Sequence, residues 1–450
     1  MEQVFRYIDT HGTQFIEELC TLLAQPSISA QNTGVQECAT LLKGMMESLG
    51  ITTQILPTRR HPVVYGEWKH PSATKTLLIY GHYDVQPPEP LELWDSPPFE
   101  PTIRNGRIYA RGSGDNKGQF FAHLKALEAF QRTDTPLPLH LKFLFEGEEE
   151  IGSPSLRPFV EEHRSLLAAD AVYYADGPGH ESGRQMLFLG LKGLLYLEFH
   201  CRGANRDLHS MRAAAVPSAA WKLIRALSAC KDAQDRILIE GFYENVLEPT
   251  AEEREAMQRI PLEEAAVLRD LDIQEFAGER DRSYLEKLMF RPTFNIAGMI
   301  SGYTGEGAKT VLPSTARAKV DIRLVPNQTP DEIYAKVVAH LQKQGFGDVE
   351  VRRLGGDLLP SKTPLTHPFA QLVQRSVVKA CGEEPVVLPS IGGSGPNYIW
   401  TDILGLPLVM AAYSTFDENN HAPNENLEIG AFLRGIKVSA QVFHDMATSS

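Results

Sequence analysis

Cysteine is scarce in this sequence and does not fall into pairs. There are five, Cys20, Cys38, Cys201, Cys230 and Cys381. An odd number with no CxxC spacing argues against a disulfide framework and fits reduced thiols in a cytosolic protein. Positive charge is also in short supply, with 44 Lys and Arg against 57 Asp and Glu and a net charge of −13. Nucleic-acid binding and docking on an anionic membrane both need a basic surface, so neither is expected. A few local cations would still allow an anionic small molecule to bind. Long apolar runs are missing, and none approaches the roughly 18–20 residues of a membrane span. The first 24 residues carry acidic side chains and no continuous apolar stretch, unlike a signal peptide. The expectation is a cytoplasmic protein.

What is present is an ordinary globular composition in a long chain. The 42% hydrophobic and 22% charged fractions exclude disorder as the starting assumption. At roughly 100–200 residues per domain, 450 residues suggest two or three domains. The first part alternates between two patterns. Thr76–Tyr80 and Ala171–Ala175 are short apolar runs that read as buried strands, and His140–Phe145, which alternates weakly, also reads as a strand. Lys117–Arg132 and Ser155–Leu167 read as helices. This order predicts an α/β catalytic domain with a mostly parallel sheet flanked by helices.

The middle differs. Leu194–Cys201, Thr293–Ile300 and Ala316–Val325 read as strands, with Arg212–Cys230 and Pro330–Gln344 as helices. That is a small α+β domain. The Glu- and Arg-rich stretch from Glu248 to Glu286 reads as solvated helices and loops. Beyond Lys362 a helix at Phe369–Cys381, a strand at Leu408–Tyr413 and a helix at Leu427–Met446 return to the first pattern. The expected boundaries are 1–190 and 363–450 for the catalytic domain, with 191–362 as an insertion.

Four motifs follow predicted strands or lie in the loops beyond them, where an open α/β sheet forms its ligand crevice. They are Gly81-His82-Tyr83-Asp84, Arg111-Gly112-Ser113-Gly114-Asp115-Asn116-Lys117-Gly118, Glu146-Gly147-Glu148-Glu149-Glu150 and Ala175-Asp176-Gly177. Asn420-His421-Ala422-Pro423-Asn424-Glu425 is a fifth, far downstream. Taken singly, each has a plain structural reading. His82 is a loop histidine, Asp115 a helix N-cap, the Glu run a solvated turn, and Asp176 a turn residue. The glycines of the second motif lack both phosphate-loop spacings, which excludes that reading. Taken together, His82, Asp115, Asp176, His421 and an acid of the Glu run form a nitrogen and oxygen donor set suited to zinc, manganese or cobalt. Asp84 could accept from the His82 imidazole and fix its tautomer. Adjacent carboxylates could divide metal binding from proton transfer.

The order and spacing of these motifs resemble the di-zinc metallopeptidase family of carnosinase, cytosolic nonspecific dipeptidase, aminoacylase and succinyl-diaminopimelate desuccinylase. The resemblance also runs through Asp207-Leu208-His209-Ser210, Gly392–Pro396 and Phe294–Pro313, the last closest to the carnosinase-like branch. It implies two divalent metal ions, zinc first with manganese or cobalt as alternatives. Asp115 would bridge them, His82 and Asp176 would complete one site, and Glu150 and His421 the other. Asp84 would orient His82. The family's Glu-Glu pair stands one residue before Gly-Ser, which selects Glu149 as general base acting on a metal-bound water.

The same resemblance implies a homodimer through an inserted lid and dimerisation domain, with His209 reaching the neighbouring subunit's site. The substrate's carboxylate would meet Asn295, Arg323 and the Gly393, Ser394 and Gly395 segment, with Thr310 helping to position it. The implied activity is hydrolysis of dipeptide-like amides with a free carboxylate. An N-acyl-amino-acid deacylase, a carboxypeptidase and a non-catalytic homologue are the alternatives. One departure is Met211–Ala215, which stands where relatives carry a glycine-rich turn.

Overall fold

The computed structural model describes residues 1–449. Its contacts divide into two compact units. The first contains Met1–Leu189, Thr363–Pro389 and the chain from Ile399 onward, and the second contains Gly190–Lys362 with Ser390–Tyr398. The chain therefore leaves the first unit twice, the second time for only a short loop.

The first unit is built on an eight-stranded sheet. Its order is Thr52–Leu56, Val63–Trp68, His140–Glu146, Thr76–His82, Ala171–Ala175, Leu408–Ala412, Met186–Phe188 and Val386–Leu388. The four strands from His140–Glu146 to Leu408–Ala412 run parallel. They are predominantly apolar, as strands covered on both faces tend to be, and Ala171–Ala175 and Leu408–Ala412 are buried throughout. Helices Glu2–Leu23, Lys117–Arg132 and Ile429–Thr448 supply Phe15, Leu124 and Phe432 to the same core as Ile79 and Tyr173 of the sheet.

The second unit has a four-stranded antiparallel sheet in the order Asn295–Ser301, Thr315–Leu324, Gly193–Arg202, Glu350–Arg353. Helices Ala219–Cys230 and Pro330–Lys343 contribute to its core. Thr315–Leu324 alternates strictly, burying Val320, Ile322 and Leu324 and turning Lys319, Asp321 and Arg323 the other way.

Three elements differ from expectation. The helix expected from Arg212 begins only at Ala219, because Pro217 interrupts it and Ser218 caps the new start through Trp221 N–H. The helix expected to reach Leu167 stops at Glu162, where both nitrogens of the His163 backbone and ring meet the Phe159 carbonyl. Leu427 lies in a short strand, Asn426–Glu428, paired with Arg107–Tyr109, and the last helix starts at Ile429.

Candidate metal centre

The carboxyl ends of the four central parallel strands of the first unit supply most of the site. His82 ends one strand and Asp176 directly follows the next. Glu149 and Glu150 open a 3-10 turn just beyond Glu146, and His421 lies in the loop after Leu408–Ala412. Asp115 comes from the glycine loop ahead of helix Lys117–Arg132. Gly112 in that loop has φ +87°, and a Cβ on Gly118 would stand 2.1 Å from the Ser113 carbonyl, so neither tolerates a side chain. Asp115 is not the N-cap. Asn116 occupies that position, and the Asp115 carboxylate is turned to two imidazoles instead.

The geometry is shared about Asp115. One carboxylate oxygen lies 3.0 Å from His82 Nε2 and the other 3.0 Å from His421 Nε2. Asp176 stands 3.7 Å from His82 Nε2, and Glu150 3.1 Å from His421 Nε2. Two donor triads result, His82–Asp115–Asp176 and Asp115–Glu150–His421, with the donor atoms of each within 4.8 Å of one another. His82 is buried, yet its Nε2 has no hydrogen-bond partner among the described residues. A buried nitrogen close to carboxylates but out of alignment for a hydrogen bond suits a lone pair meant for a cation. The residues present fit a pair of divalent cations.

Electrostatics point the same way. Asp84, Asp115, Asp176, Glu149 and Glu150 crowd about two imidazoles. Burial alone would lower the His82 pKa, but Asp115, Asp176 and Asp84 together hold it well above the ordinary range. Asp115 and Glu150 push His421 up to about 10. Burial would raise Asp115, but the two imidazoles outweigh it and hold that carboxyl low. Burial raises Glu149 well above the usual carboxylate range, and Asp176, Glu150 and Asp115 add to it against the opposing pull of His82. Burial and then Asp115 raise Glu150 to about 7. Negative charge is in excess here, and divalent cations relieve such an excess.

The acidic run sorts itself by hydrogen bonding. Glu146 is buried and accepts from Tyr80 and Ser153 hydroxyls. Glu148 is buried and accepts from the Thr58 hydroxyl and the His61 and Ser155 N–H groups. Both are occupied with structure, which leaves Glu149 and Glu150 for the centre. Asp84 works differently from expectation. The closest partner of His82 Nδ1 is the Asp84 main-chain carbonyl at 3.1 Å, with the carboxylate at 3.5 Å. The carboxylate accepts the backbone N–H groups of Glu149 and Glu150.

Several supporting residues have roles that their local sequence does not reveal. Gln86 donates to the Glu150 carboxylate at 3.0 Å. Asn116 joins two strand ends, accepting from His82 N–H and donating to the Ala175 carbonyl. Glu425 is buried and holds the backbone of the Asp115 loop. The His421 loop is strained, with Asn419, His421 and Asn424 at φ +57°, +55° and +61°. Non-glycine residues persist there only where their surroundings hold them.

The remaining expected residues belong to the second unit. Arg323 donates to the Ser394 hydroxyl at 2.7 Å, and Ser394 donates to the Gly193 carbonyl. Gly393 accepts from Lys192 N–H through its carbonyl, and Gly395 lies against Leu191. Asn295 donates to Asp321, and Asn295, Asp321 and Arg323 line a cleft of about 450 Å³. The Thr310 carbonyl accepts from Ser210 N–H, and His209 is exposed with its Nδ1 accepting from Met211 N–H.

A carboxylate shared between two histidine-bearing triads at the strand ends of an α/β sheet defines a metal-dependent hydrolase. The sequence matches Peptidase family M20/M25/M40 over residues 78–445. The chain belongs to that family and is a metallopeptidase. The crystal structure of an M20 family metallo-carboxypeptidase, Sso-CP2 from Sulfolobus solfataricus, superposes with a TM-score of 0.87 at 38% identity, covering 96% of this chain and 99% of that one. Human Beta-Ala-His dipeptidase is 26% identical over 99% of this chain and 93% of its own. The Cys-Gly metallodipeptidase dug1 of Schizosaccharomyces pombe is 26% identical over 100% of this chain and 99% of its own. Among the described residues no helix is long and apolar enough to cross a membrane.

Proposed function

We propose that this chain hydrolyses the amide bond of dipeptides with a free C-terminal carboxylate, using two divalent cations. The observation that carries the reading is the Asp115 carboxylate, with one oxygen 3.0 Å from each of two histidines that belong to different triads. His82, Asp115 and Asp176 would hold one cation and Asp115, Glu150 and His421 the other, zinc being the first candidate and manganese or cobalt the alternatives. When bound, the cations supply Lewis acidity and ease the deprotonation of water. Glu149 takes the proton of the attacking water and delivers it to the leaving amine. Burial and the neighbouring Asp176, Glu150 and Asp115 make its carboxylate a stronger proton acceptor than a free one, against the opposing pull of His82. Asp84 keeps the Glu149 backbone and the His82 ring in register.

Arg323 and Asn295, with the Gly393–Gly395 segment, receive the substrate's carboxylate. Arg323 has a hydroxyl but no carboxylate within ion-pair distance among the described residues, which leaves its charge available. His209 contributes to the oxyanion site of a neighbouring copy, and Thr310 positions the substrate. Exposure of His209 is consistent with that role. The edge strand Asn295–Ser301 supports self-association, with Ile296, Met299 and Ile300 about half exposed. The protein is read as a cytoplasmic homodimer.

A carboxypeptidase reading is favoured by one observation, the 38% identity to Sso-CP2 against 26% for the two dipeptidases. The chemistry is the same and the substrate length differs. The deciding experiment is a panel of free dipeptides, N-blocked dipeptides and N-acyl amino acids, assayed with zinc, manganese and cobalt in turn. Turnover confined to free dipeptides supports the first reading. Preference for N-blocked substrates would replace it with the second.

A further inference from the structure

The metal ligands do not account for Glu425, a fully buried carboxylate four residues after His421. Its Oε1 accepts the backbone N–H groups of Gly114 and Asp115, each at 2.9 Å. Its Oε2 accepts Gly112 N–H at 3.1 Å and Arg111 Nη1 at 2.6 Å. Four donors thus converge on one carboxylate, and three of them are main-chain groups of the loop that carries Asp115. Arg111 is itself buried, lies over the Trp94 ring and donates to the Pro87 carbonyl. Asn424, the preceding residue, accepts from Asp95 N–H and donates to the Leu93 carbonyl, so the Glu425 segment is anchored from outside the site as well.

We propose that Glu425 is a positioning residue for the metal pair: its three main-chain hydrogen bonds hold Asp115 where its two oxygens can serve both triads. The inference rests on the two-cation reading above. The physical reason lies in the glycine loop. Gly112 and Gly114 give the backbone wide conformational freedom, and no regular helix begins until Lys117. A loop of that kind needs external acceptors to hold one conformation. Glu425 supplies them, and it belongs to the same loop as His421. One segment therefore provides a ligand directly and sets the bridging ligand indirectly, so the two triads are built as a unit.

The ion pair with Arg111 gives Glu425 a second, purely structural use, and the test separates the two. Glu425→Gln keeps the size of the side chain but turns one acceptor into a donor aimed at N–H groups. Arg111→Met removes the ion pair and leaves the three main-chain bonds. Both variants and the wild type are purified without metal and titrated with cobalt(II), following the visible absorption of the ion and the number bound per chain, well below the melting temperature of each. The expected result is a loss of cobalt affinity of about tenfold or more in Glu425→Gln, in the range that groups supporting metal ligands show. Arg111→Met should melt earlier yet bind cobalt within about threefold of wild type, a small change beside that range.

Equal affinities in wild type and Glu425→Gln would overturn the proposal, as would equal losses in both variants. If Glu425→Gln does not fold, Glu425→Asp decides, because it keeps the charge and withdraws it by one methylene. Weaker cobalt binding in a folded Glu425→Asp supports the proposal, whereas unchanged binding, or failure of both Glu425 variants to fold, assigns the residue to stability alone. A wild type that binds no cobalt would instead sink the metal reading itself.

Discussion

The Asp84 carboxylate accepts the backbone N–H of Glu149 at 3.1 Å, so the expected orienting residue holds the expected base by its main chain. The second Asp84 oxygen accepts Glu150 N–H at the same distance, and the Asp84 carbonyl meets His82 Nδ1. One fully buried residue therefore ties together a member of each donor triad and Glu149.

Asp84→Asn tests this arrangement. Asparagine keeps one acceptor oxygen but faces the other N–H with an amide donor. Leaving a buried donor unsatisfied costs about 1–3 kcal/mol. Turnover should fall about 10–100-fold with a measurable loss of bound metal, as for other groups that support metal ligands. Kinetics paired with metal analysis provides the check, and wild-type values for both would remove Asp84 from the site.

Glu149→Gln should separate binding from chemistry. The amide cannot carry a proton, yet Glu149 belongs to neither triad. Two metals per chain should therefore be retained while kcat drops about 10²–10⁴-fold, the usual contribution of a general base. Metal content by atomic absorption and kcat measured on the same sample give the answer. Appreciable turnover would mean that another group moves the proton.

The parts of the site that were legible in the sequence are those with local patterns. Apolar runs such as Thr76–Tyr80 and Ala171–Ala175 announce buried strands, and residues at their ends announce a crevice. Asp115, Glu150 and His421 could be named in advance, although their meeting depends on residues 306 positions apart in sequence. Glu425 could not be assigned a role in the same way, because its bonds to Gly112, Gly114 and Asp115 span 310 to 313 positions and leave no local periodicity. The division of Glu146 and Glu148 from Glu149 and Glu150 was visible only as a motif register. Its physical cause, hydrogen bonds from Tyr80, Ser153, Thr58 and His61, is tertiary. The excursion of Ser390–Tyr398 to the second unit was equally hidden, since a Gly- and Ser-rich loop does not by itself say which unit it joins.

His123 should shape the acid limb of stability. It is fully buried on helix Lys117–Arg132, its Nδ1 meets Ser439 Oγ at 2.9 Å, and burial lowers its pKa to about 3. An unfolded histidine titrates near 6.5. Between these values the unfolded chain binds a proton that the folded chain refuses, so stability is complete above about 6.5 and falls as pH drops toward 3. His123→Gln removes that proton. Melting temperatures from pH 7 to pH 4 should decline less steeply in the variant than in wild type. Parallel curves would show that His123 does not titrate on unfolding in this window.

Arg323 carries the prediction about substrate. Its guanidinium already reaches Ser394 and keeps further donors for a carboxylate. A charge-assisted hydrogen bond contributes about 1.5–3 kcal/mol, so Arg323→Met should raise KM for free dipeptides about 10–100-fold. Arg323→Lys should fall between the two, since it keeps the charge and loses the planar fork. Metal content should stay at the wild-type level in both variants, because Arg323 is no part of either triad. The specific control is a dipeptide amide, which lacks the carboxylate. Wild type should prefer the free acid over the amide, and Arg323→Met should lose most of that preference by weakening only toward the acid. If the preference survives in Arg323→Met, the carboxylate is recognised elsewhere, and the dipeptidase reading would need a different anchor for its substrate.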